Sequence, residues 1–138
     1  MARETIDTTG NESLDITLAK IAANMAAGNP DTLSIGTGTK TATATAGAAT
    51  LAKLTGTITS EALTTAAAAN YTLTITATGI AATDMVFASV ANGTNSAGTP
   101  VVTTTTPAAN SLVIVVKNDH ASNAFNGTIK VSYMAVKA

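Results

Sequence analysis

Hydrophobic and polar positions in this chain alternate with two different periods. Within residues 1–31, Leu14, Leu18, Ile21 and Met25 recur at helical spacing. Ser13 is placed to cap such a helix, and Gly28 ahead of Asn29 and Pro30 supplies a stop. The pattern predicts an amphipathic helix over about 14–27. A strand is the rival reading, because Leu14, Ile16 and Leu18 also alternate. Such a segment serves either as part of the core or as an arm that docks on a neighbouring subunit.

Beyond residue 31 the period drops to two. The low-complexity run from Gly36 to Gly47 alternates Thr with Ala, and Leu51, Leu54 and Ile58 follow it. Threonine's branched Cβ suits a pleated strand, and the alternation sends one residue type to each face. Alanine cannot fill the space between packed sheets alone, so bulkier residues must cover that face. Ala66 to Ala69, halted by Asn70, reads as a connection.

The clearest strands come later. Tyr71, Leu73, Ile75 and Ala77 share one face of a strand and Thr72, Thr74, Thr76 and Thr78 the other, with Gly79 as its end. Met85 to Val90 is a strand closed by residues 91–95, and Pro100 to Thr105 is another, stopped by Pro107. Ser111 to Lys117 is apolar on both faces, which predicts a central strand. Asn118 to Ala124 is a turn-rich loop. Thr128 to Val136 then sets Ile129, Val131, Tyr133 and Ala135 on one face. Short strands punctuated by Gly, Pro and Asn predict an all-β, antiparallel β-sandwich or jelly roll of about eight strands. The domain division is an N-terminal arm over 1–31, helical or extended, and a sandwich over 32–138.

Composition narrows what such a sandwich can do. Threonine and alanine make up roughly two-fifths of the 138 residues, aromatics 3%, charged residues 11%, and cysteine and tryptophan are absent. Alanine buries little area, so the core is expected to be thin, with further burial where subunits meet. The net charge is −1 and the seven basic residues are scattered singly. Nucleic-acid binding would use a basic stripe with stacking aromatics, so no nucleic-acid partner is expected. Apolar runs such as Leu112 to Val116 are too short to cross a bilayer, and no membrane partner is expected. The opening residues lack the apolar segment of a secretion signal, and the lack of cysteine fits assembly in a reducing cytoplasm.

Candidate chemistry is sparse. Asp119, His120 and Ser122 offer an acid, a base and a hydroxyl, but groups this close in sequence cannot approach a relay from different directions. Turn residues are the expected role. Asp84 and Asp119 could meet at one end of a sandwich and hold a cation, although one His and no Cys leave few ligands. The expectation is therefore no catalytic residue, no metal and no cofactor. Gly36 and Gly38 read as turn glycines, not a phosphate cradle. Asn11, Asn70, Asn92 and Asn126 open glycosylation-type triplets that read as chance in so threonine-rich a chain. Tyr71, Phe87, Phe125 and Tyr133, the four aromatics, are expected in the core, while an exposed pair would suit stacking on a sugar ring.

Two segments carry a resemblance. The first runs from Gly56 through Glu61 and Ala66–Ala69 to Thr76. The second begins with Val90 to Asn95, resumes from Pro107 to Ser122, and ends with Phe125 to Tyr133. Together, over about the last 80 residues, they resemble small virion proteins of tailed bacteriophages, in particular capsid cement (decoration) proteins with a jelly-roll body. The resemblance implies a virion structural protein without catalytic residues, made in the host cytoplasm and seated on the outside of the capsid. Its implied partners are the major capsid protein, whose neighbouring subunits it would bridge against the pressure of packed DNA, and a second copy of itself. A homodimer is expected ahead of a trimer. In the arm, Ile6, Leu14, Leu18, Ile21 and Met25 are the candidate intersubunit contacts. The alternative from another class is a carbohydrate- or receptor-binding sandwich module of a phage fibre or tail.

Overall fold

The computed structural model describes residues 40–138. The arm over 1–31, with its helix or strand, and the glycines at 36 and 38 lie outside the described residues. Eight strands run in chain order: β1 Thr41–Thr43, β2 Ala48–Thr50, β3 Thr55–Thr59, β4 Asn70–Thr76, β5 Met85–Asn92, β6 Pro100–Ala108, β7 Ser111–Asn118 and β8 Ile129–Val136. They form two four-stranded sheets, β1-β3-β8-β5 and β2-β4-β7-β6. Their inward residues make one apolar core, so the described chain is an all-β sandwich.

The threonine–alanine run forms two strands, not one. Thr45 and Ala48 exchange both backbone hydrogen bonds (2.8 and 3.0 Å) around Ala46 and Gly47. Both central residues are left-handed, at φ 50 and 74, which is the geometry of a tight two-residue turn. A Cβ at Gly47 would stand 2.7 Å from the Thr72 carbonyl oxygen, so only glycine fits there. The turn passes the chain from β1 in one sheet to β2 in the other.

This crossing explains a departure from the antiparallel expectation. β1 pairs with β3, and β2 with β4, in parallel. Each crossing between the sheets reverses the chain, so two crossings restore its direction beside the strand laid down before. The remaining pairings are antiparallel. From β3 onward, β3 pairs with β8, and β4 with β7. β5 joins the free side of β8, and β6 the free side of β7. Where β5 and β6 approach, the Thr105 hydroxyl reaches the Val86 carbonyl at 3.5 Å.

Burial follows the alternation. Tyr71, Leu73 and Ile75 point inward from β4, with Ala77 buried just past its end, and Ile129, Val131, Tyr133 and Ala135 point inward from β8. β7 lies between β4 and β6, as its two apolar faces predicted. Leu112, Ile114 and Val116 are fully buried, and Val113 and Val115 half-buried on the outside. Burying a side chain of that size is worth about 1.5–3 kcal/mol, so a few such residues outweigh many alanines.

Two strand ends differ from expectation. β5 continues to Asn92, and β6 passes through Pro107 to Ala108. β6 is an edge strand, where one side of the backbone has no ladder partner and proline costs little. A bulge between Val102 and Thr104 further disrupts that edge.

Candidate functional site

The five arm residues proposed from the sequence, Ile6, Leu14, Leu18, Ile21 and Met25, lie outside the described residues. The other candidates can be placed. Asp119 turns to Lys117 at 2.8 Å, and the His120 Nδ1 accepts the backbone N–H groups of Ser122 (3.1 Å) and Asn123 (2.9 Å). The imidazole is thus engaged as the acceptor that shapes its own loop, and no relay through Asp119 and Ser122 is assembled. Lys117 holds the Asp119 carboxyl below the usual carboxylate range.

Asp84 and Asp119 do not meet. Asp84 precedes β5 at the end where Met85 pairs with Val136, whereas Asp119 follows β7 at the end where Pro100 pairs with Asn118. Each carboxylate also has its own lysine. Asp84 accepts from the Lys137 Nζ (2.8 Å), the Ala81 N–H (2.8 Å) and the Ala138 N–H (3.4 Å), with its side chain only 1% exposed. The Lys137 hydrogen bond, then the Ala81 N–H, lower its pKa. Among the described residues no three metal-ligating side chains cluster, and no pocket forms.

Three aromatics are buried: Tyr71, Phe125 and Tyr133. The Tyr133 hydroxyl donates to the Lys53 carbonyl (2.8 Å), and burial pushes its pKa to about 12. Tyr71 donates to Glu61 (3.0 Å), and burial, then that carboxylate, raises its pKa. The core expectation fails for Phe87, which is 54% exposed. It sits at an odd-numbered position of β5, whose even-numbered residues Val86, Ala88 and Val90 already face the core. A lone exposed aromatic does not make the pair that sugar stacking called for.

Two asparagine triplets have a structural use that sequence reading dismissed. Asn92-Gly93-Thr94 and Asn126-Gly127-Thr128 lie side by side and clasp one another. The Thr94 N–H donates to the Thr128 hydroxyl (3.0 Å), and the Thr128 N–H to the Thr94 hydroxyl (2.9 Å). A Cβ at Gly93 would collide with the Thr128 hydroxyl, and one at Gly127 with that of Thr94. Repetition of Asn-Gly-Thr was the available signal. Beside the clasp, the fully buried Asn118 donates to the carbonyls of Thr65, Ala66 and Asn123 and accepts from Thr99 and His120.

The distinctive surface is the outer face of the β1-β3-β8-β5 sheet. Met85, Phe87, Met134 and Val136 are exposed there, and register sets Met85 opposite Val136 and Phe87 opposite Met134. The next rung is Ser89 opposite Ser132, and Lys130 follows opposite Ala91. Outward threonines of β1 and β3 (Thr41, Thr43, Thr55, Thr57 and Thr59) complete the face. Sequence reading missed this quartet because it assigned Met85 to Val90 no outer face. The signal was present, since Met85 and Phe87 alternate with inward Val86 and Ala88. No protein-family model, curated protein or solved structure matches the chain.

Proposed function

We propose that this protein is a virion structural protein that binds the outside of a phage capsid and cements neighbouring major capsid subunits. The observation that carries the reading is the outer face of the β1-β3-β8-β5 sheet, a hydroxyl-lined surface with an apolar quartet at one end. Surfaces of this kind bind through many modest contacts, and repetition over a shell multiplies them. The resemblance over the last 80 or so residues supplies the partner. Threonines on β3 and β4 alternate with core residues, so the sandwich presents backbone and hydroxyl groups without giving up its core.

The arm over 1–31 adds reach, extending a neighbour's sheet or laying its apolar stripe in a groove. Removing residues 1–30 is expected to leave the sandwich folded and to abolish incorporation into particles, read by co-sedimentation with heads. Normal incorporation of the truncated protein rules the arm out. A cryo-EM map of the parent particle should show the protein spread over the shell. Density confined to the tail, with binding in a sugar screen, would favour the fibre-module alternative.

A further inference from the structure

We propose that Asn126-Gly127 is a latent self-modification site, at which the chain cyclises and deamidates its own backbone, and that residues 94–98 are the cover that holds it in check. The inference does not depend on a capsid being the partner.

The chain contains two Asn-Gly pairs, Asn92-Gly93 and Asn126-Gly127, each followed by threonine. Glycine has no side chain to shield its nitrogen, so that nitrogen is free to attack the preceding asparagine side chain unless the fold prevents it. In the reaction the Gly127 nitrogen gives up its proton and bonds to the Asn126 Cγ. The Cγ–Nδ2 bond breaks, and ammonia leaves with the proton, which closes a cyclic imide. Water then opens the imide at either carbonyl, to aspartate or to isoaspartate.

The two pairs are guarded differently. The Gly93 N–H donates to the Thr128 carbonyl (2.9 Å), and Asn92 ends β5 in register with Ile129. Freeing that pair means parting β5 from β8. Asn126 is exposed and outside the strands, and among the described residues no acceptor holds the Gly127 N–H. One loop segment guards it instead. The Ser96 N–H donates to the Asn126 Oδ1 (2.8 Å), and the Asn126 Nδ2 donates to the Ser96 Oγ (3.1 Å). Gly127 is buried beneath the same segment, where a Cβ on it would stand 2.5 Å from the Thr94 Oγ1 and 2.8 Å from the Asn95 nitrogen.

Because one segment both clamps the carboxamide and covers the glycine, lifting it releases both reacting groups together. That is a local opening, which costs less free energy than separating two strands. Ser96 is itself exposed, so water competes for its two bonds. The reaction has a structural consequence. Isoaspartate lengthens the main chain by one methylene ahead of Thr128, which takes Thr128 out of register with Thr94 and opens the clasp. Either product also adds a negative charge at this end.

Ageing the full-length protein in mildly alkaline buffer, followed by peptide mapping with mass spectrometry and an isoaspartate assay, tests this directly. In the folded protein Asn126 should convert about tenfold faster than Asn92, because its guard opens locally. In urea the two pairs should react alike. Ser96→Ala removes the Oγ acceptor and should speed conversion of Asn126 by about three- to tenfold, with Asn92 and the thermal melt unchanged. Ser96→Thr, which keeps a hydroxyl, should restore the parent rate. Equal rates at the two pairs in the folded protein, a preference for Asn126 that persists in urea, or no conversion of Asn126 without denaturant overturns the proposal. So does a Ser96→Ala variant that ages like the parent or more slowly.

Discussion

The two ends of the sandwich are closed by different chemistry. At one end, where β5 gives way to β6 and β7 to β8, asparagines and threonines do the sealing. Asn118 is wholly buried with five hydrogen bonds, Asn95 bonds Asn92 and the Gly98 carbonyl, and the Thr94–Thr128 clasp ties the loops together. At the other end Tyr133 spans the core to the Leu51–Lys53 turn, and Asp84 gathers Lys137 with the Ala81 and Ala138 N–H groups. With few large apolar residues beyond Phe125 to fill that end, the chain does not close its loops by a hydrophobic plug alone. It instead turns short polar side chains inward to satisfy loop backbone, which is permissible only where every donor and acceptor is paired. Among the described residues, no buried side-chain polar atom lacks a partner.

The largest test of this contrast is Asn118→Ala. It removes the amide from the Thr65, Ala66 and Asn123 carbonyls, of which Thr65 and Ala66 keep the Phe125 and Ala69 N–H groups, and takes the acceptor from the Thr99 and His120 N–H groups. The loss should be about 3 kcal/mol, read by urea denaturation. Gly98→Ala acts at the same end. A Cβ there would collide with the Phe125 ring and stand 2.9 Å from the Asn118 Oδ1. A loss of about 1–3 kcal/mol is expected from overpacking. If both variants melt like the parent, the polar end does not control stability.

Tyr133→Phe probes the opposite end. It keeps the ring in the core and removes the hydroxyl from the Leu51 and Lys53 carbonyls, for an expected loss of about 1 kcal/mol. Smaller still is the clasp. Thr94→Val and Thr128→Val should each cost less than about 1 kcal/mol, and a double-mutant cycle should show coupling of about 0.5 kcal/mol or more. Strict additivity would mean that the two triplets act independently.

The mildest test is acid. Asp84 has a folded pKa below its unfolded value of about 3.9, so its contribution is complete above that value and is lost as pH falls through the folded pKa. Asp84→Asn should therefore flatten the loss of Tm below about pH 4. Asp119, 56% exposed beside Lys117, shares the direction of shift, but salt should erase its effect. An Asp84→Asn variant with the parent's acid profile would break the distinction between the two ends.

Strand identity was readable wherever the alternation included large residues. β4, β7 and β8 match their expected faces residue for residue, because Leu, Ile, Val and Tyr at every second position have one energetically acceptable orientation. The Thr–Ala run was read as one strand, since alternation of two small β-compatible residues does not reveal a left-handed pair at Ala46 and Gly47. Pro107 was read as a stop because the edge position of β6 is not a local property. Of the candidate surface, Met85 and Phe87 were visible as apolar, but their exposure depends on which face of β5 meets the core.

The amino-acid sequence by itself determined a β-sandwich of about eight strands over the described residues, because period and composition act residue by residue. The tertiary structure alone decided the parallel edge pairings, the clasp between two distant Asn-Gly-Thr triplets, the separation of Asp84 from Asp119, and the grouping of Met85, Phe87, Met134 and Val136. Each depends on which strands become neighbours. That is set by how crossings between two sheets reverse and restore the chain, a global constraint that no local window of residues contains.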